Sequence, residues 1–145
     1  MPRFALHSSQ LAPATALPGN QAGTEQLRQV SAALLCAGDV LARLGGNSTG
    51  QGVGLRGGSF RIAGDAAGTH LSLDQVRWTD DVSVSGKIDK ASSRTGIVRA
   101  VLELQGSDGM AGQVTIQWRE GSADPSASIR GKMGTAAVVA EYPAP

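Results

Sequence analysis

Cysteine occurs once in this chain, at Cys36, so no internal disulfide can form. Aromatic residues are scarce, at 3% of the chain. The interior must therefore be built from Val, Ile, Leu and Ala, with Trp78 and Trp118 as its large anchors. No run of about 18 apolar residues exists, so no segment reads as a membrane span. The N-terminal residues carry an Arg but no sustained apolar stretch, and no signal peptide is read there. The formal net charge is +1 and no block of Lys or Arg stands out. That balance argues against nucleic acid and anionic membrane as main partners. No Cys/His cluster is present for a transition metal, and no cofactor is implied.

What remains is ordinary globular material with much glycine. The 145 residues suit a single folded unit, and the apolar fraction of 41% against 17% charged is typical of one. Residues 1–23 hold Pro2, Pro13, Pro18, Gly19 and Gly23 and read as an irregular leader or linker. Residues 24–46 read as one amphipathic helix and its stop. Thr24 is a plausible cap, and Glu25 in the first turn suits the helix dipole. Leu27, Val30, Leu34, Ala37, Leu41 and Leu44 then recur three and four apart, before Gly45 and Gly46.

Residues 47–145 read as an antiparallel β domain. Val76, Trp78, Val82 and Val84 fall on even positions, separated by polar residues, with Asp80-Asp81 as a bend between two strands. Val114, Ile116 and Trp118, then Ala136, Val138, Ala140 and Tyr142, repeat the alternation. Leu71 and Leu73 are out of phase with Val76 and Trp78, which predicts a bulge near Asp74-Gln75. Seven strands are expected, near 53–63, 69–78, 81–89, 96–105, 112–119, 126–132 and 136–142, after a glycine-rich connector from Asn47 to Gly58. The fold class is mainly β: an antiparallel sandwich or barrel of about seven strands behind a leader and one helix.

Candidate chemistry is thin. Gly52-Val53-Gly54-Leu55-Arg56-Gly57 spells G-x-G-x-x-G, but it follows a helix and opens a strand, the reverse of a dinucleotide site. There is no G-x-S-x-G elbow, and His7 and His70 are the only histidines available as a base. Cys36 reads as a small buried hydrophobe. Asp80-Asp81 with Asp74 or Asp89 would suit Ca²⁺ only if the fold gathered them. Asp89, Glu103 and Glu120 would serve glycoside hydrolysis on the same condition. Trp78 and Trp118 are read as core residues rather than as a sugar-stacking platform.

Several stretches together resemble a known family. Pro18-Gly19-Asn20 before the helix, Gly54-Leu55-Arg56-Gly57-Gly58, Val76-Arg77-Trp78 and Val82-Ser83-Val84-Ser85-Gly86 are similar to the C-terminal region of secreted bacterial α/β-hydrolases of the tripeptidyl-aminopeptidase-like kind. The resemblance covers most of the chain and lacks the catalytic domain, so it carries over no catalytic, cofactor or metal residue. It implies a β-rich, extracytoplasmic accessory domain or subunit, associated with a serine peptidase or esterase and not itself catalytic. The alternative is an independent β-sandwich module binding a carbohydrate or peptide. The expected partner is the hydrolase domain or a second copy of the chain. The expected interface is the apolar surface of Phe4, Leu6, Leu11 and Leu17 in the leader with Leu27, Val30, Leu34 and Leu41 of the helix stripe.

Overall fold

The computed structural model describes residues 7–44, 49–54, 56–66, 68–91, 96–120, 123 and 126–143. A 3₁₀ turn, Ser8–Gln10, opens the described chain. Strand β1 (Thr15–Ala16) and helix α1 (Thr24–Leu44) follow. Then come β2 (Thr49–Val53), β3 (Ser59–Asp65), β4 (Gly68–Arg77), β5 (Val82–Ala91), β6 (Ile97–Gly106), β7 (Ala111–Arg119), β8 (Ser126–Met133) and β9 (Ala136–Pro143). All nine strands join one antiparallel sheet in the order β1-β9-β8-β7-β6-β5-β4-β3-β2. From β2 to β9 this is a simple meander. Only β1 is out of sequence, laid back against β9.

The expected mainly β, antiparallel architecture is what forms, behind a leader and one helix. Among the described residues the strand number is nine rather than about seven, and the sheet they form stays open, with β1 and β2 as its two edges. The additional strands lie where glycine and proline mask strand character. β1 sits in the leader between Pro13 and Pro18. β2 occupies the expected connector, and the strand expected at 53–63 divides into the end of β2, a turn and β3. The predicted bulge is present: the β4–β5 register shifts between Leu73 and Val76, and Gln75 takes φ 49°. The helix spans the range its periodicity predicts; the proposed stop at Gly45-Gly46 lies outside the described residues.

One face of the sheet is wet and the other buries a single core. Val82, Val84, Ile88, Val98, Leu102, Val114, Ile116, Trp118 and Ile129 are all buried on the inner face. Lys87, Arg99, Glu103, Gln117 and Arg130 alternate with them on the outer face and are exposed. α1 lies against β5 and β6 and also touches β3, β4 and β9. β3 and β9 are six strand spacings apart, about 29 Å in a flat sheet, whereas a helix is only about 10–12 Å wide. The sheet must therefore curl around the helix to touch it from both sides. The burial of Leu27, Gln29, Val30, Ser31, Ala33, Leu34, Cys36, Ala37 and Val40, more than one stripe of the helix, follows from that curl.

Two local devices fix the helix in its trough. The Trp78 indole Nε1–H donates to Asp39 Oδ2 at 2.7 Å, and the Arg43 guanidinium stacks over the same ring at 5.3 Å. The Trp78 ring also lies 6.3 Å from that of Phe60 on β3. At the other end the Arg28 Nε–H donates to the Leu11 carbonyl, holding the leader over the helix.

Candidate functional site

The residues singled out from sequence are mostly used inside the fold. Leu27, Val30, Leu34 and Leu41 are 0–7% exposed and belong to the chain's own core. Leu11 packs against that core, and Leu17 is half-buried beside β9. Phe4 and Leu6 lie outside the described residues. The helix stripe expected at an interface is therefore buried in the chain's own core, and Leu11 and Leu17 of the leader are half-buried. The physical reason is the curl, which gives one helix partners on several sides. Trp78 and Trp118 are 5% and 4% exposed, so neither offers a ring face to a sugar.

Several of the acidic residues pair with basic side chains. Asp80 pairs with Arg56, Asp89 with His70 at 2.7 Å, and Glu120 with Lys90 at 3.0 Å. Asp74 is exposed on β4, and Glu103 on the outer face of β6. Among the described residues, no three of His, Cys, Asp and Glu are grouped to hold a metal ion. Cys36 is buried, and burial together with the neighbouring Asp39 carboxylate pushes its thiol up to about 12, far from nucleophilic at neutral pH.

Asp81 is the exception to the solvated pattern. It accepts the Ser8 amide at 2.8 Å and the Ser8 hydroxyl, and the His7 Nε2 lies 3.5 Å away. Burial pushes the Asp81 carboxyl up, but the two Ser8 hydrogen bonds and the nearby His7 ring prevail and hold it below the usual carboxylate range. Ser9 Oγ is 2.9 Å from His7 Nδ1, so Ser9, His7 and Asp81 line up in the order of a catalytic triad. The geometry is that of a cap. His7 Nδ1 already accepts the Ser9 amide, and the Gln10 side chain returns to the His7 amide in a reciprocal pair. This cluster clamps the leader to the bend between β4 and β5.

The G-x-G-x-x-G stretch forms a hairpin. Gly54 donates to the Gly58 carbonyl, and Gly57 donates back to the Gly54 carbonyl, joining β2 to β3. Gly58 has φ 78°, and a Cβ there would stand 2.1 Å from the Gln75 carbonyl oxygen, so only glycine fits against the bulge of β4.

The hairpin presents the feature that sequence reading missed. The Gly54–Gly58 bond sets the β2–β3 phase: Gly52 pairs with Phe60 and Gly50 with Ile62, their backbone groups turned inward to β3. The N–H and C=O groups of Thr49, Gln51 and Val53 consequently point off the sheet. Among the described residues no strand pairs there. Val53 is 72% exposed, the most exposed large hydrophobe described. A shallow groove of about 580 Å³ crosses β2, β3 and β4 at this end of the sheet, lined by Gln51, Val53, Phe60, Arg61, Leu73 and Asp74 among others. The available signal was the alternation of Thr49, Gln51 and Val53 with Gly50 and Gly52, which glycine's poor strand propensity disguised as a connector.

Comparison with family models, with curated proteins and with solved structures finds no match for this chain.

Proposed function

We propose that this chain is a non-catalytic accessory β-module that packs on, or completes, a serine α/β-hydrolase of the peptidase or esterase type in an extracytoplasmic setting. The resemblance of Gly54–Gly58, Val76–Trp78 and Val82–Gly86 to such tails supports the choice of partner. The observation that carries the interaction role is the unpaired β2 edge, with Val53 exposed beside a groove. Native proteins normally blunt a sheet edge with Lys, Pro, a bulge or a covering segment. β2 has none of these among the described residues.

The test is retention of a serine hydrolase, recognised by its chemistry. Immobilised chain is incubated with the secreted fraction of its source, and bound protein is labelled with a fluorophosphonate that reacts only with activated serine. A labelled hydrolase is expected on the chain, while the chain itself stays unlabelled and turns over ester and aminopeptide substrates no faster than buffer. Labelling of the chain at Ser9, abolished in His7→Ala, would show catalysis where a cap is read.

A further inference from the structure

We infer that the β2 edge takes an extended segment of a partner protein as a tenth strand, with apolar side chains on its inward face and an acidic one on its outward face. The partner is that of the accessory reading above, and the inference rests on it.

Three observations choose this occupant. The first is the set of outward backbone groups at Thr49, Gln51 and Val53, whose spacing matches the alternate bonding positions of an antiparallel strand. The second is the make-up of the inner layer at this edge, where the buried Phe60 ring, not a β2 side chain, fills the space over β2. β2 places only Gly50 and Gly52 on the face that elsewhere carries Val, Ile and Leu. A Cβ at Gly52 would stand 2.6 Å from the Phe60 ring, so the ring extends over the glycine toward the open side. α1 covers the inner face at β5 and β6 but barely reaches β2. A strand added here would set its inward side chains beside Phe60 and continue the core. The third is the outer row, where Gln51 lies directly opposite the exposed Arg61. An acidic side chain facing Gln51 would come within reach of that guanidinium.

A second copy fits less well. Antiparallel pairing of two β2 strands about Gln51 sets Gly50 against Gly52 of the other chain and adds no side chain to the inner layer. Five residues offer about 17 Å of edge, and at a sheet thickness of about 10 Å present only about 170 Å². A stable interface needs about 800 Å² from each partner. A partner that adds side chains over Phe60 enlarges the contact, whereas a second β2 does not.

The probe is the blocked peptide Thr-Val-Glu-Leu-Thr, which sets Val and Leu inward and Glu opposite Gln51. At millimolar concentration it is added to the full ¹⁵N-labelled chain, and amide exchange is followed. Exchange at Gln51 and Val53 should slow about tenfold, the response expected of a site mostly occupied. The same peptide N-methylated at its Glu should do nothing. Gln51→Pro removes an amide that β3 does not use, so Gly50 and Gly52 should stay protected while the peptide response disappears. No slowing at millimolar peptide, or equal slowing with the N-methylated form, overturns the inference. Slowing that rises with protein concentration in the absence of peptide assigns the edge to a second copy and overturns it too. The fluorophosphonate retention assay separates the two readings. If Gln51→Pro still retains the labelled hydrolase, the strand-addition inference fails and the accessory reading stands. If wild type binds peptide at the edge but retains no hydrolase, the accessory reading fails and the edge site stands.

Discussion

The two edges of the sheet are built in opposite ways. At the β9 edge, Thr15 and Ala16 pair with Glu141 and Ala140, and the Leu17 amide donates to the Val139 carbonyl. Beyond Pro18 the backbone can no longer follow as a strand, and side chains take over. Asn20 Oδ1 accepts the Val139 amide, Gln21 Oε1 accepts the Ala137 amide, and the Gln21 and Ala22 amides donate to the Ala137 carbonyl. Every outward backbone group from Ala137 to Val139 is thereby bonded. At the β2 edge, the corresponding groups of Thr49, Gln51 and Val53 have no strand beside them among the described residues. A chain that closes one edge with two side-chain amides shows what closing an edge requires. The contrast is what motivates the proposal made for the other edge.

The comparison can be broken or sharpened by substitution. The largest effect is expected at Trp78, which ties the open-edge side of the sheet to α1. Trp78→Ala should cost about 3–5 kcal/mol, read by urea unfolding, and should disturb the β2–β3 amides more than those of β8 and β9. Equal loss at both edges would mean that Trp78 does not favour one side.

Asp81→Asn should come next, at about 1–3 kcal/mol, because the buried Ser8 hydroxyl and amide lose a charged acceptor. Its signature is at the closed edge, through loosening of the leader. The pH dependence has a definite sign. A carboxyl held below its unfolded value of about 3.9 contributes stability above that pH and loses it as pH falls through the lowered folded value. Protection of the Val139 and Ala137 amides should therefore fall as pH drops below about 4. Asp81→Asn should abolish that pH response.

A smaller loss, about 1 kcal/mol, is expected for Asn20→Ala combined with Gln21→Ala. Faster exchange at Val139 and Ala137, with β2 unaffected, would confirm that these side chains stand in for a strand. Unchanged exchange would show the backbone of the leader to be cover enough.

The smallest stability change belongs to the open edge. Val53→Lys touches only solvent and should stay within about 0.5 kcal/mol of wild type. A Tm drop of many degrees would mean that Val53 is packed and the edge is not free.

Sequence alone determined the periodic parts. α1 was legible because Leu27, Val30, Leu34 and Leu41 recur on one face. β4 to β9 were legible because their apolar residues alternate, down to the phase error that marks the bulge at Gln75. These are local signals, set by the 3.6-residue and two-residue repeats of backbone geometry. Sequence could not determine what the apolar helix stripe faces. That depended on the curl of nine strands around one helix, a property of the whole sheet. Nor could it show which edge is covered: Asn20 and Val139 are more than a hundred residues apart, and only the fold brings that side chain to that amide. The Asp81 clamp is likewise non-local, joining Ser8 to the β4–β5 bend. The open edge was written as Thr49-Gly50-Gln51-Gly52-Val53, but glycine has no side chain to reveal a face. Only the pairing of β2 with β3, and of nothing described beyond it, turns that stretch into an edge.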